Sequence, residues 1–333
     1  MSATFDVAVI GATGTVGETL VQVLEERDFP LGQLHVLASE ASVAQSIPFR
    51  GRNVRVKSLN GFDFNQVKLV FFCAGDAVTA AFAGQASEAG CQVIDLAGGA
   101  GAPVVVPEVN AQTLQSLPAP SRVGTPGSIA TALALALAPL QGLLDIEHVT
   151  VTACLPMSAN SREAVRELAR QTTELLNARP LEPRTFDRQV AFNMLAQVGE
   201  PDAAGQLALE KRAHRELREL LNLPLLKVSI SCIQAPVFFG DSLTVNVRSR
   251  TPVDVQAATQ ALEQAAGVEW TGADDYPTVV GDAVGQDVVY AGRVRGGLGD
   301  PCELNLWLVL DNVRKGAALN AVQVAELLIK RLS

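Results

Sequence analysis

Three glycines, Gly11, Gly14 and Gly17, stand in the run Gly-Ala-Thr-Gly-Thr-Val-Gly at residues 11–17. Their spacing has a chemical use. The first two permit a tight turn and a close approach of backbone to a pyrophosphate, and the third lets the next helix pack near the preceding strand. A helix that starts here turns its free N–H groups toward the anion. Gly11, Thr13, Gly14, Thr15 and Val16 are therefore expected to hold a dinucleotide, against the alternative of a plain glycine-rich turn. Further on, Ser39 closes a predicted strand, and Glu40 and Ser42 follow it. A carboxylate at that place favours a ribose 2′-hydroxyl and so NAD, while the serines suit either a hydroxyl or a 2′-phosphate. Glu40 is equally well read as a solvated loop carboxylate. The expected cofactor is NADP or NAD.

No metal chemistry is expected. Cys73, Cys91, Cys154, Cys232 and Cys302 are odd in number and scattered, with no CxxC pair and no Cys/His cluster. They read as buried thiols of a reducing compartment. His35 falls within a predicted strand, His148 lies close to another, and His214 sits on a charged helix, where it is expected to face solvent.

The elements that must position these residues follow from periodicity. Residues 5–10 are an apolar, Val/Ile-rich strand, and Leu20, Val23 and Leu24 recur at helical spacing after the glycine run. Strands are predicted at 34–39, 69–73 and 92–96 with a helix at 77–89, an alternation that implies a parallel sheet buried on both faces. The second half changes character. Helices are predicted at 162–176, 208–221 and 257–266, strands at 226–233, 242–250 and 304–310, and a last helix at 317–332. That pattern suggests an α+β unit with a mixed or antiparallel sheet. The fold class is α/β, with an N-terminal Rossmann-like domain and a second domain built on a mixed sheet.

At 333 residues the chain has room for two domains. With 48% hydrophobic and 18% charged residues it is not a disordered chain. A net charge of −9 with 5% aromatics is a poor match to phosphate backbones, so nucleic acid is not an expected partner. The longest apolar stretch runs only from residue 129 to 140, short of the about 20 residues that a membrane span needs. The first residues lack a basic start and a long apolar segment, so no secretory leader is expected and a cytoplasmic location is the default.

Several segments taken together resemble aspartate-semialdehyde dehydrogenases, over nearly the whole chain. They are VAVIGATGTVGETL (7–20), AGCQVIDLAG (89–98), VVVPEVN (104–110), AFNMLAQVG (191–199), CIQAPVFFGDS (232–242), YPTVVGDAVGQDVVYAGRVR (276–295) and DNVRKGAALNAVQVAELL (311–328). The resemblance implies a Rossmann domain, 1–130, completed by a C-terminal helix within 313–333. It also implies a catalytic and dimerisation domain, 131–312, and a homodimer. In that family a cysteine attacks aspartyl phosphate, and the thioester is reduced by NADPH with a histidine managing protons. Asn320 lies in the segment that contributes cofactor contacts.

The family's catalytic pattern is altered in this sequence. Ser128 stands where the nucleophilic cysteine is expected, Asp241 replaces the histidine, and Gln234 replaces the arginine that holds the substrate carboxylate. The run after Val93-Ile94-Asp95 continues as Leu96-Ala97-Gly98-Gly99-Ala100, without the phosphate-gripping arginine. Cys154 aligns with a positioning glutamine, Ser158-Ala159-Asn160 with the glycine-containing loop beside the nicotinamide, and Glu210, Lys211 and Arg212 with a charged substrate-binding cluster. A serine needs an adjacent base to become a nucleophile. An ordinary aspartate, with a pKa near 3.9, is a weak base unless burial raises it. Ser128 also reads as a helix N-cap, Cys154 as a buried thiol, and the charged cluster as a solvated helix face. The expectation is an NAD(P)-binding relative in which the family reaction is lost or much weakened. One alternative is an oxidoreductase that acts on another aldehyde or oxo substrate without a cysteine. Another is a non-catalytic dimeric interaction protein.

Overall fold

The computed structural model describes residues 4–98 and 101–331. The chain divides into two units, Met1–Gly127 with Ala317–Ser333, and Ser128–Gly316. Gly99, Ala100 and the expected helix end at 332 lie outside the described residues.

The first unit is built on strand β1 (Phe5–Ile10), whose last four residues are all buried. A strand covered on both faces must be apolar at every position rather than at every second one. Helix α1 (Thr15–Glu26) follows, then β2 (Leu31–Ala38), a small hairpin of β3 (Ser46–Phe49) and β4 (Arg52–Arg55), and β5 (Lys57–Ser58). Next come β6 (Leu69–Phe72), α2 (Asp76–Glu88), β7 (Gln92–Asp95), the short α3 (Pro107–Asn110) and β8 (Arg122–Gly124). The sheet order is β5-β2-β1-β6-β7-β8, and every pair is parallel. The strand order reverses at β1, which places a switch-point crevice beyond its carboxyl end. Val7 and Val9 face one core with Leu20 and Leu24 of α1 and with Leu319, Val322 and Leu328 of the C-terminal helix Leu319–Lys330. Ala8 and Ile10 face the other core with Phe72, Ala83 and Ala86. Arg27 clasps Glu326 of the C-terminal helix through two hydrogen bonds of 2.6 and 2.8 Å.

The second unit starts with helix α4 (Ser128–Leu137), whose residues from Ile129 onward are all buried. A helix that is apolar all round belongs in a core. Then come β9 (Ile146–Leu155), α5 (Arg162–Leu176), α6 (Ala208–Leu220), β10 (Lys227–Gln234), β11 (Asp241–Ser249), α7 (Val255–Glu263), β12 (Val268–Trp270), β13 (Val289–Gly296) and β14 (Glu303–Leu310). Their order is β10-β9-β11-β14-β13-β12. The sheet is mixed: β9/β10 and β12/β13 are parallel and the other pairs antiparallel. Along β11, Asp241, Leu243, Val245 and Val247 are buried, and Ser242, Thr244, Asn246 and Arg248 are not. This period of two puts Asp241 on the buried face of the sheet.

Some boundaries differ from the sequence expectation. β2 begins at Leu31, because Leu31 pairs with Phe5 of β1. The 10-residue β9 was not expected as a full strand, since its Glu147 and His148 interrupt the alternation that Val149-Thr150-Val151 follows. The last helix starts at Leu319, preceded by a π-helical turn, Arg314–Ala318. His214 is half-buried rather than solvent-facing, and burial and the charge of Arg218 push its pKa down.

Candidate active site

The glycine run sits at the carboxyl end of β1, where the sheet order reverses. Gly11 has φ +80°, and a Cβ there would lie 2.9 Å from Ala74 N. A Cβ on Gly17 would lie 2.3 Å from Gly11 O, so only glycine lets α1 start this close to the turn. Gly14 is different. It is the exposed N-cap of α1, and the only neighbour its Cβ would meet is Gly11 O, at 3.3 Å. Thr15 and Val16 form the first turn of α1, whose N–H groups have no acceptor within the helix. Thr13 Oγ1 is 3.5 Å from Ser42 Oγ. Ser39 is exposed and precedes the turn Glu40–Ser42 without a side-chain capping bond, while the Glu40 carboxylate accepts from Ser58 Oγ. Asn320 is buried in the C-terminal helix. Its Nδ2 donates to Val105 O at 2.9 Å, and its Oδ1 has no partner.

In the second unit the structure brings Ser128 and Asp241 together. Ser128 is the first helical residue of α4 rather than the residue before it, and its hydroxyl donates to Asp241 Oδ2. Asp241 is 0% exposed, and its Oδ1 has no hydrogen-bond partner. Burial pushes its pKa up to about 7; the Ser128 hydrogen bond opposes this and the negative charge of Asp311 adds to it. Asp311 is itself held by the N–H groups of Val313 and Arg314, at 2.9 and 2.8 Å, and by that of Gly285 at 2.8 Å. Asn312 Oδ1 accepts from Gly240 N at 2.9 Å and from Ser158 Oγ at 3.1 Å, which fixes the turn into β11. Asp311 and Asn312 had no assigned role in the sequence reading, although both lie in the segment 311–328 that carries the family resemblance.

Gln234 ends β10 and is buried. Its Nε2 donates to Leu155 O at 2.8 Å, and its Oε1 accepts from Asn160 Nδ2. Both ends of the amide are therefore occupied by protein. Gln234 and Asn160 border a cavity of about 830 Å³ lined mainly by residues 185–188 and 193–200. Of the charged cluster on α6, Glu210 accepts from Leu207 N and Cys232 N at 3.1 and 2.9 Å. Lys211 pairs with Asp202, and Arg212 pairs with the buried Glu216 at 2.7 Å. Cys154 is half-buried in β9, and burial pushes its thiol pKa up, as it does for Cys73, Cys91 and Cys232. Among the described residues no helix is long and apolar enough to cross a membrane.

A parallel sheet with a glycine loop at its switch point, followed by a unit with a mixed sheet, defines a two-domain protein of the dinucleotide-binding class. Residues 6–117 match the family model for the NAD binding domain of semialdehyde dehydrogenases, and residues 137–315 match the model for their dimerisation domain. The chain is 59% identical over 334 residues to a USG-1 protein homolog of Azotobacter vinelandii, covering 99% of each. It is 40% identical over 334 residues to aspartate-semialdehyde dehydrogenase 2 of Vibrio cholerae, again covering 99% of each. A solved structure of a probable aspartate-semialdehyde dehydrogenase from Pseudomonas aeruginosa superimposes with a TM-score of 0.97 at 54% identity, covering 99% of this chain and 100% of that one. The chain belongs to the aspartate-semialdehyde dehydrogenase family.

Proposed function

We propose that this protein binds NAD(P) through Gly11, Thr13, Gly14, Thr15, Val16, Ser39 and Asn320, and that it has lost or much weakened the family's phosphate-dependent semialdehyde reaction. The observation that carries the reading is the Ser128–Asp241 contact at the positions of the expected cysteine and histidine. A serine cannot form the thioester that accepts hydride readily. Gln234 adds support, because a neutral amide already bonded to Leu155 and Asn160 offers a substrate carboxylate no charge. The protein acts as a homodimer assembled through 131–312, a reading supported by the dimerisation-domain match. Equilibrium sedimentation at micromolar concentration is expected to give a dimer, and a clean monomer refutes this.

The test of activity is steady-state oxidation of aspartate semialdehyde with phosphate and either NAD or NADP. Turnover is expected to be undetectable, and a rate of about 1 s⁻¹ or more, an ordinary enzymatic value, refutes the reading. The cavity beside Gln234 favours a second reading, an NAD(P)-dependent oxidoreductase acting on another aldehyde or oxo substrate without a cysteine nucleophile. A turnover screen with aldehydes and ketones separates the two. A non-catalytic interaction protein would show neither turnover nor nucleotide binding.

A further inference from the structure

Asp241 is fully buried, one of its oxygens accepts from Ser128, and the other has no partner. Buried carboxylates are normally saturated with donors, so an orphaned oxygen calls for a use. Ser128 is only half-buried, and it opens a helix of 10 residues whose first N–H groups have no intrahelical acceptor. Such groups can stabilise an oxyanion that forms beside the serine.

We propose that Ser128 and Asp241 are a nucleophile and its base, and that they hydrolyse activated acyl compounds, acyl phosphates and aryl esters, through an ester on Ser128 Oγ. The proposal rests on the reading of Ser128 as the family's nucleophile position. In the first step Oγ bonds to the acyl carbon while its proton passes to Asp241. The bond from the acyl carbon to the phosphate or aryloxide oxygen breaks, and the leaving oxygen takes the electron pair and then the proton held by Asp241. In the second step water adds to the ester carbon and gives a proton to Asp241. The bond from carbon to Oγ breaks, and Asp241 returns that proton to Oγ. The net reaction consumes one acyl compound and one water and yields a carboxylic acid and the protonated leaving group. No hydride moves. An oxygen ester is a poorer hydride acceptor than a thioester, so the same acyl position now discharges to water.

The experiment treats the full-length protein with 4-nitrophenyl acetate and, separately, with acetyl phosphate, followed by peptide mass mapping. One acetyl group is expected on Ser128, with release of 4-nitrophenol faster than in buffer. Ser128→Ala should lose the mapped adduct and lower the rate about 100-fold, the scale of a lost acid–base or nucleophilic group. Asp241→Asn should lower the rate by a similar factor. The wild-type rate should rise with pH through about 7, because the ionised carboxylate is the working form, and Asp241→Asn should flatten that profile. A far-UV circular dichroism spectrum and a cooperative urea transition like those of wild type establish that each variant is folded. No acetyl on Ser128, or a rate unchanged in Ser128→Ala, overturns the proposal. Aspartate semialdehyde oxidation, followed by NAD(P)H absorbance in the same samples, reports separately on the proposed loss of the family reaction.

Discussion

Each unit of the molecule buries an aspartate at the end of a strand, and the two are kept very differently. Asp95 closes β7 and is saturated. Its Oδ1 accepts from Thr79 Oγ1 at 3.2 Å and from Ala97 N at 3.0 Å, and its Oδ2 pairs with Arg122 at 3.1 Å. Asp241 opens β11 with one hydroxyl partner, an orphaned oxygen and another carboxylate, Asp311, close enough to raise its pKa. Both are 0% exposed. The difference teaches that burial alone does not assign a role. A carboxylate with a full set of donors holds its surroundings together, whereas one left short costs stability and persists where chemistry uses it.

The sharpest test of that contrast is pH. Asp241 has a folded-state pKa of about 7 against an ordinary value of 3.8, so the native state binds more protons than the unfolded state between those values. The cost of burying Asp241 is therefore smallest below pH 4 and grows as pH rises toward 7, by about 4 kcal/mol if the whole shift is expressed. Urea unfolding of wild type and Asp241→Asn across this range should show the variant gaining on wild type as pH rises. Parallel curves break the comparison. Asp95→Ala should do the reverse, destabilising by about 3 kcal/mol at neutral pH, because Arg122 and two further donors lose their acceptor. A loss well below 1 kcal/mol in the same assay would place Asp95 with Asp241 rather than opposite it.

Two smaller effects probe the sites themselves. Gly14→Val should weaken NAD(P) binding about 100-fold by calorimetry and shift stability by less than about 1 kcal/mol, since Gly14 is exposed and meets little of the protein's own backbone. Ser128→Cys should give a thiol that is alkylated faster than Cys73, Cys91, Cys154 and Cys232, whose burial raises their pKa. Oxidation of aspartate semialdehyde should stay undetectable in this variant, because the imidazole and guanidinium are still absent. Recovered turnover would make the serine the whole of the difference between this chain and an active family member.

What the sequence revealed depended on range. The β1–glycine–α1 unit was readable because one short window carries its strand, turn and helix signals together. Helix α5 was readable as residues 162–176, since its amphipathic spacing is uninterrupted and Ser161 caps it through Ala164 N. The hairpin β3–β4, the two-residue β5 and the three-residue β8 were not, because segments so short carry too little periodicity. The Ser128–Asp241 pair spans 113 positions, and no spacing rule joins residues that far apart. Family resemblance put both at one site. It gave no sign that the aspartate would be in phase with Leu243 and Val245 on the buried face, or that Gln234 would be tied to Asn160.

The C-terminal helix carries a consequence for how the chain is made. Leu319, Val322 and Leu328 belong to the core of β1 and α1, yet roughly 190 residues of the second unit are translated before them. At about 5 to 20 residues per second, the nucleotide-binding sheet waits some 10 to 40 s on the ribosome with one side of its core uncovered. The second unit can fold in that interval, and the first is finished only when the last helix emerges. During synthesis the exposed faces of Val7, Val9 and Leu24 are the natural targets for a chaperone, and the order in which the units mature is the reverse of the order in which they begin.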